Sequence, residues 1–283
     1  MPGMIDLTSF AALFFYTLSG AAYLVYLLAQ REKVHLYGYF LLLAGFICHA
    51  VFLCGQAVML GHLPAFTLSH NLSLAACSTA GVFLLLNRRM NLKFFGVYAV
   101  PIILAITLVS VMLPEGAPYR GGGTDIKRIA DSAWLITHVI TMFAANGAFA
   151  LACGAGIFYL VQEHAIKNKK RGFFYKRLPP LELLDSAGYS CIVAGFAMLT
   201  LGLVTGAVYA ELVWGAFWRW DPKEVWSGIT WLVYAALLHE RLVAGWRGRR
   251  AAIMSIAGFF IVVFTFLGVN LLLGGHHGVF TRV

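Results

Sequence analysis

Apolar residues in this chain are gathered into eight long runs that are separated by shorter polar segments. Each run is long enough, as an α-helix, to cross the roughly 30 Å of hydrocarbon at the centre of a bilayer. The pattern therefore predicts an all-α fold, a polytopic membrane protein of about eight transmembrane helices. The runs lie near residues 10–28, 37–60, 67–86, 94–113, 134–161, 186–210, 225–242 and 252–273. Because no repeat or low-complexity linker interrupts them, we expect residues 1–283 to form a single integral membrane domain.

The overall composition favours lipid as the solvent for most of the protein surface. Of the 283 residues, 60% are apolar and only 12% are charged, which is about half the charged fraction of a typical soluble domain. The five cysteines are scattered through apolar runs, and no two of them form a C-x-x-C pair. Composition therefore gives no support to a thioredoxin-type redox function or to a zinc site.

The net charge of +9 suggests nucleic-acid binding only until the charges are placed along the chain. Fifteen of the 21 lysines and arginines follow the first, third, fifth and seventh apolar runs, and six lie on the opposite side. The positive-inside rule then places both termini on the outer, periplasmic side, together with the segments 114–131 and 211–221. We accordingly expect a multi-pass protein of a bacterial inner (plasma) membrane and no nucleic-acid partner.

A tryptophan-rich segment on the predicted outer side carries the strongest chemical signal. Five of the seven tryptophans fall within residues 214–231, in the sequence WGAFWRWDPKEVWSGITW. Asp221 is a good N-cap, Pro222 suits the first helical position, and Glu224 completes a capping-box-like start to the seventh span. Tryptophans also gather at membrane interfaces, because an amphipathic ring prefers the headgroup level, and that preference alone explains one or two of them.

The remaining aromatic density suggests a platform for a large, flat, apolar ligand. Haem has this character, since its faces stack on aromatic rings and its iron takes axial imidazole ligands. The candidate platform residues are Trp214, Phe217, Trp218, Trp220 and Trp226. Arg219 and Lys223 of the same segment are candidates for contact with haem propionates, although basic residues are also common beside a membrane.

Histidines are predicted at the same outer face as the tryptophan segment. His138 begins the fifth span, while His276 and His277 follow the eighth, so that imidazoles from both parts of the chain return to this face. His239 lies near the inner end of the seventh span, about 25 Å along the helix from its start, and cannot share an iron atom with His138. His49 lies midway along the second span, where an imidazole is expected to be functional or paired.

Three stretches of the sequence resemble one known family. WGAFWRWDPKEVW at 214–226 resembles the tryptophan-rich WWD signature of haem-handling proteins. HVITM at 138–142 and GVNLLLGGHH at 268–277 are similar to the CcsA (also ResC) branch of these proteins. The resemblance covers roughly residues 134–278. It implies that residues 211–231 form an external WWD loop together with the start of span seven.

The resemblance also implies the ligands of two haem sites. His138 and His277 are implied as the external axial ligands that flank the WWD loop, and the spacing from Asn270 favours His277 over His276. His239 is implied as the histidine of a second haem site within the membrane, whose other ligand comes from a CcsB (ResB)-like partner. The implied cofactor-binding set consists of these three histidines with Trp214, Trp218, Trp220, Asp221, Trp226 and Arg219.

Two positions depart from the family pattern. In SHNLSLAAC at 69–77 no acidic residue follows the asparagine, and in DSAGYS at 185–190 no arginine follows the tyrosine. HemX-like membrane proteins, which share the fold and are associated with control of haem biosynthesis, therefore stay an alternative. A haem b quinone-reactive subunit is a further alternative, disfavoured because only span two has a histidine at its midplane.

The sequence as a whole favours transmembrane haem transport and presentation for cytochrome c maturation. Haem b is the expected transported ligand. The expected partners are a CcsB-like membrane protein and apocytochrome c, whose C-x-x-C-H thiols add to the haem vinyl groups. The complex is expected to act as a cytochrome c synthase (haem lyase), to which this chain contributes positioning and no assigned catalytic residue. The direction of haem movement and the inner-site co-ligand stay open.

Overall fold

The protein is described by a computed structural model that covers residues 2–90, 93–113, 133–169, 172–173 and 175–272. It is a bundle of eight long helices, with no strand in these ranges, and each helix contains most of one predicted apolar run. The helices are α1 (Pro2–Ala29), α2 (Glu32–Leu60), α3 (Leu68–Met90), α4 (Gly96–Met112), α5 (Ala133–Lys167), α6 (Leu181–Trp214), α7 (Pro222–Val243) and α8 (Arg249–Val263). A 3₁₀ turn at Lys93–Phe95 precedes α4, and a π-helical turn at Phe264–Gly268 leads from α8 into α9 (Val269–Leu272).

Seven helical stretches of the described chain are long and apolar enough to cross a membrane. The predicted seventh span forms α7, which is not among them. Its 22 residues extend about 33 Å, but Lys223 and Glu224 at its start and Glu240 and Arg241 at its finish make both ends polar. The prediction of an all-α, multi-pass membrane protein is confirmed.

The connections between helices collect at two ends of the bundle. We call the end that holds residues 215–221 the loop end, and the end that holds the connections following α1, α3, α5 and α7 the basic end. Contacts join the connections of the basic end: Lys93 Nζ lies 2.8 Å from Glu32 Oε2, and Arg177 donates to the carbonyl of Leu28 over 3.0 Å. The loops rich in lysine and arginine thus share one end, and the outward orientation of the loop end stays a prediction from the charge pattern.

Helices α5 and α6 pack closely because glycines of α6 face large side chains of α5. A Cβ atom at Gly195 would lie 2.6 Å from the ring of Phe149, and one at Gly202 would lie 2.6 Å from the sulfur of Met142. Both distances are well inside ordinary van der Waals contact, so a larger residue would force the helices apart. Phe149 also stacks on Tyr234 of α7, with ring centroids 3.6 Å apart. This packing fixes α5, α6 and α7 relative to one another.

Candidate functional site

A cavity of about 260 Å³ lies at the loop end, where α3, α5, α6, α7 and the turn after α8 converge. Its wall is mostly aliphatic and aromatic with a small number of polar groups, which is the character of sites for organic ligands. The aromatic part of the wall consists of Phe66, Phe143, Tyr209, Trp214, Phe217, Trp218 and Phe266. The polar part consists of Asn71, His138, Asn146, Lys223, Glu224, Ser227, Thr230 and Thr265.

His138, in the second turn of α5, is held against α6 through its ring. Its Nδ1 atom lies 2.7 Å from the carbonyl oxygen of Gly202. Since a carbonyl oxygen only accepts, Nδ1 carries the proton, and the neutral ring then has its lone pair on Nε2. Gly206 provides the room for this ring, because a Cβ atom there would stand 2.6 Å from Nδ1. An imidazole in this tautomer is suited to bind a metal through Nε2.

The segment between α6 and α7 has a shape fixed by caps at both of its ends. Gly215 caps α6 with a φ of 70°, a left-handed conformation that glycine adopts without strain. At the other end Asp221 is buried, and its Oδ1 accepts a hydrogen bond from the N–H of Lys223 at 2.9 Å. Glu224 Oε2 accepts from the N–H of Arg219 at 2.8 Å and from that of Asp221 at 3.3 Å. The predicted capping box at the start of α7 is confirmed.

The structure divides the predicted aromatic platform between the cavity and its surroundings. Trp214 and Trp218 line the cavity. Trp220 is not part of that lining; it is 78% exposed, and its ring stands edge-on to Trp218 with centroids 6.0 Å apart. Trp226 packs on Phe264 of the π-helical turn, with ring centroids 4.5 Å apart. Trp214 and Trp218 therefore form part of the cavity wall, whereas Trp220 and Trp226 lie beside the cavity.

The two cations of the segment have different surroundings. The guanidinium carbon of Arg219 lies 5.9 Å from the centre of the Trp214 ring, and its side chain is exposed. Lys223 lines the cavity and precedes the apolar run that begins near residue 225. Burial lowers the pKa of its ammonium to about 8, and the nearby Asp221 carboxylate opposes this effect. At neutral pH the cavity wall therefore carries a positive charge at Lys223.

His239 lies at the basic end of α7, away from the cavity. Its side chain is exposed on the outside of the bundle. Two residues further on, Arg241 donates to both oxygens of Asp185 on α6, at 3.0 and 2.7 Å. The N–H of Gly248 donates to the same carboxylate at 2.8 Å. These contacts fix the end of α7 that carries His239. The cavity with His138 lies at the other end of α7, so the length of this helix separates the two histidines.

His49 is buried inside the bundle and paired. Its side chain is 2% exposed. Its Nδ1 lies 3.3 Å from the hydroxyl of Tyr16, and its Nε2 lies 2.8 Å from the hydroxyl of Ser73. Of the two expectations for this histidine, functional or paired, the structure confirms that it is paired. The two hydroxyl groups satisfy the hydrogen-bonding atoms of a polar ring within the apolar part of the bundle.

His276 and His277 lie outside the described residues, so only one of the predicted external ligands has a position in the structure. His138 is the single imidazole among the described residues that line the cavity. Across the described ranges, no group of three or more histidine, cysteine, aspartate or glutamate side chains is arranged to hold a metal ion. Coordination of a haem iron in this cavity would therefore depend on the ring of His138 and on a second axial group.

Sequence reasoning missed several polar residues of the cavity wall. Asn71 of α3 and Asn146 of α5 both line it. Thr230 of α7 and Thr265 of the π-helical turn also line it, with their hydroxyl oxygens 3.1 Å apart. The sequence did contain a signal for such residues, namely a polar side chain within an apolar span, because these side chains face the interior of a membrane bundle. The π-helical turn, a feature frequent at functional sites, has no comparable signal in the sequence.

Fold and site together define a multi-pass helical membrane protein with a histidine-bearing aromatic cavity at one end. The family described as "Cytochrome C assembly protein" matches residues 65–277, well over half of the chain. The chain belongs to this cytochrome c assembly family. The matched range includes the last part of the α2–α3 connection, all of α3 to α8 and the tryptophan segment, so it contains every described residue of the cavity wall.

Individual relatives narrow the assignment within the family. The cytochrome c biogenesis protein CcsA of Prochlorococcus marinus (strain NATL2A) is 35% identical over 245 residues, which cover 77% of this chain and 76% of that protein. The protein of the same name from Chlorella vulgaris is 33% identical over 246 residues, which cover 77% of each chain. The resemblance to the CcsA branch that the sequence indicates is confirmed.

A solved structure shares the fold. It is named "Cytochrome c Heme Lyase CcmF", and it superposes on 93% of this chain with a TM-score of 0.63. The two sequences are 17% identical, so this likeness concerns the arrangement of helices alone. The present chain spans about half of that protein, since the match covers 46% of its length.

Proposed function

We propose that this chain binds haem b in the loop-end cavity and presents it for attachment to apocytochrome c. The observation that carries the proposal is the hydrogen bond of His138 Nδ1 to Gly202, which places the lone pair of the neutral ring on Nε2. Trp214 and Trp218 supply flat apolar surface in the same cavity. Membership of the cytochrome c assembly family supports the same assignment.

In this proposal two imidazoles hold the iron at the outer site. His138 is one axial ligand, and His277, which lies outside the described residues, is the other. Trp214 and Trp218 contact the macrocycle from the cavity wall. Asp221 contributes by capping α7, which holds the tryptophan segment in place.

Three further residues of the predicted set complete the proposed outer site at its margin. Trp220 stands against Trp218, and Arg219 lies near Trp214. Trp226 supports the π-helical turn that forms part of the cavity wall. Their effect on haem binding is expected to be smaller than that of the residues that line the cavity.

A second haem site is proposed around His239 at the basic end. The exposed position of this histidine on the outside of the bundle suits a site whose other ligand comes from a second protein. The proposed partner is a CcsB-like membrane protein. Haem would then pass from the basic end to the loop end, which faces the periplasm of a bacterial inner membrane in this proposal.

The proposed chemistry is thioether formation on the presented haem. Each thiol of an apocytochrome C-x-x-C-H segment adds across one vinyl group, so that one C–S bond and one C–H bond form while the S–H bond and the π bond of the vinyl group break. The apocytochrome supplies both sulfur atoms. This chain supplies a fixed position for the macrocycle, which accelerates the addition by proximity and orientation, and no residue of the chain is assigned as catalytic.

The test is expression of the chain with a CcsB-like protein in a bacterial strain that lacks its own cytochrome c maturation system. We expect the purified complex to show a low-spin bis-imidazole haem spectrum, and the cells to accumulate holocytochrome c. A correctly folded complex that never shows a Soret band under haem-replete expression would contradict the proposal. A haem-loaded complex that produces no holocytochrome c would instead favour the HemX-like regulatory alternative.

A further inference from the structure

The loop-end cavity contains an ammonium group that forms no ion pair with any of the described residues. Among the described residues, the lysines and arginines that form ion pairs are Lys93, Lys167, Arg241 and Arg249. Lys223 lines the cavity and is not one of them. The other candidate cation of the segment, Arg219, is exposed and is not part of the cavity lining.

The two carboxylates nearest in sequence to Lys223 are occupied by other donors. Asp221 Oδ1 accepts the backbone N–H of Lys223, which caps α7. Glu224 Oε2 accepts the N–H groups of Arg219 and Asp221. Both side chains therefore have a structural task in the capping box, and neither forms an ion pair with the ammonium of Lys223 across the described part of the chain.

This arrangement is electrostatically unfavourable unless an anion joins it. A partly buried cation beside aromatic and aliphatic groups loses hydration, and the nearby Asp221 carboxylate offsets only part of that loss. Lys223 is also the second residue of α7, where the positive end of the helix dipole repels a cation. An acidic residue would be the stabilising choice at this position. The protein therefore keeps positive charge in the cavity at a cost to its own stability.

We infer that Lys223 binds a carboxylate of the molecule that occupies the loop-end cavity. The inference rests on the proposed function, because it assigns the group that Lys223 recognises to haem b, a flat apolar macrocycle with two propionates on one edge. Lys223 at the first turn of α7 and His138 on α5 line the same cavity from different helices. One side chain then holds the iron and the other holds the carboxylate edge, which fixes how the macrocycle is rotated in the cavity.

The test compares two probes on the purified full chain in detergent: haem b and its dimethyl ester, which has no free carboxylate. We expect the wild-type chain to bind haem at least about tenfold more tightly than the diester, the loss typical when one partner of a charge-assisted hydrogen bond is removed. Lys223→Gln should reduce haem affinity to the level of the diester and leave diester affinity unchanged. Lys223→Arg should retain most of the preference for haem.

The control is Lys33→Gln, which makes the same charge change at an exposed lysine of the basic end. It should leave the affinity for both probes within about twofold of wild type. Equal wild-type affinity for haem and diester would overturn the inference while the proposed function stands, and this comparison needs no variant to fold. Equal loss of both probes in Lys223→Gln would also overturn it. Failure of the wild-type chain to bind either probe would overturn the inference and the proposed function together.

Discussion

The Nδ1 atom of His138 and the carbonyl oxygen of Gly202 lie 2.7 Å apart, across the interface of α5 and α6. This hydrogen bond decides the tautomer of the ring and restricts its rotation. It is possible only because Gly206 brings the backbone of α6 close to the ring. The glycine pattern of α6 therefore has a role in the site as well as in packing.

Gly206→Ala should displace the ring of His138, the proposed axial ligand of the haem iron, with little effect on the rest of the fold. The added Cβ atom would stand 2.6 Å from His138 Nδ1, so the ring must move and its hydrogen bond to Gly202 must lengthen. We expect haem affinity of the purified chain to fall by about tenfold, the effect typical of losing the hydrogen bond that orients a metal-binding histidine.

Gly188→Ala is the matched control for this change. Gly188 belongs to the same face of α6, and its Cβ atom would meet only the methyl group of Ala155, at 3.3 Å. Its haem affinity should stay close to wild type, and the thermal unfolding midpoints of both variants should be compared. Wild-type affinity in a well-folded Gly206→Ala protein would show that the orientation of His138 by Gly202 is unimportant for binding.

His138→Gly should abolish cytochrome c maturation, and added imidazole should restore part of it. Removal of the side chain leaves a space beside Gly206 that a free imidazole can enter to bind the iron. We expect His277→Gly to behave in the same way and His276→Gly to do less harm. The measurement is holocytochrome c yield with and without imidazole. Equal loss at His276 with no effect at His277 would reverse the assignment of the second ligand.

His239→Ala should lower haem content without lowering protein yield. The side chain is exposed, so its removal costs little stability, whereas the proposed supply of haem from the basic end would fail. His49→Ala gives the contrasting result, because it leaves the Tyr16 and Ser73 hydroxyls without their partner inside the bundle. We expect that variant to be destabilised.

Haem per purified complex, measured beside protein yield, separates these two effects. Variants at the outer ligand His138 should still bind haem at the proposed inner site at His239, since haem is proposed to reach the inner site before the outer one. Full outer-site occupancy in a well-expressed His239→Ala protein would show that haem does not enter through that position.

Haem affinity should fall as pH rises through the pKa of Lys223, which burial lowers to about 8. A carboxylate ligand favours the protonated ammonium, so binding is strongest below that pH and weakens above it. The other titratable groups that line the cavity are Glu224, His138 and Tyr209, and Asp221 lies close to Lys223 outside the lining.

Lys223→Arg separates the effect of Lys223 from that of these neighbours, since a guanidinium stays charged throughout this range. Its affinity profile between about pH 7 and pH 9.5 should lose the decline near pH 8. Identical profiles for wild type and Lys223→Arg would assign any decline to another group.

The sequence predicts the helices and the capping box well because both depend on local pattern. Apolar runs of span length determine α1 to α8, and the order Asp221, Pro222, Glu224 determines where α7 begins. The cavity wall is harder to predict, because it depends on how distant helices meet. Tryptophans that are neighbours in sequence separate in space: Trp218 lines the cavity, while Trp226 packs on a turn some forty residues later.

Two contacts, one at the cavity and one at the basic end, could be identified only from the tertiary structure. The contact of His138 with Gly202 joins residues 64 positions apart, and no local pattern indicates it. The pairing of Asp185 with Arg241 joins residues 56 positions apart. In the sequence, the missing arginine after Tyr189 was a departure from the family pattern. In the structure, the guanidinium carbon of Arg241 on α7 lies 4.4 Å from the centre of the Tyr189 ring on α6.

Asp185→Asn should destabilise the basic end and thereby lower the haem content at the proposed inner site. Both partners of the Asp185–Arg241 pair are mostly buried, with side-chain exposures of 14% and 12%. Neutralising the carboxylate weakens two charge-assisted hydrogen bonds, and we expect a loss of about 2 kcal/mol in unfolding free energy. An asparagine oxygen still accepts the N–H of Gly248, so the connection between α7 and α8 should keep its path.

A double-mutant cycle with Arg241→Gln distinguishes positioning from general stability. If the pair holds the helix end that carries His239, each single variant should lower haem content, and the double variant should be no worse than either one. Thermal unfolding midpoints measured beside haem content show whether the two losses run in parallel. Lys93→Gln, which breaks the exposed ion pair with Glu32 at the same end, is the control and should change neither quantity appreciably. Normal haem content in a destabilised Asp185→Asn protein would mean that the pair supports the fold without positioning His239.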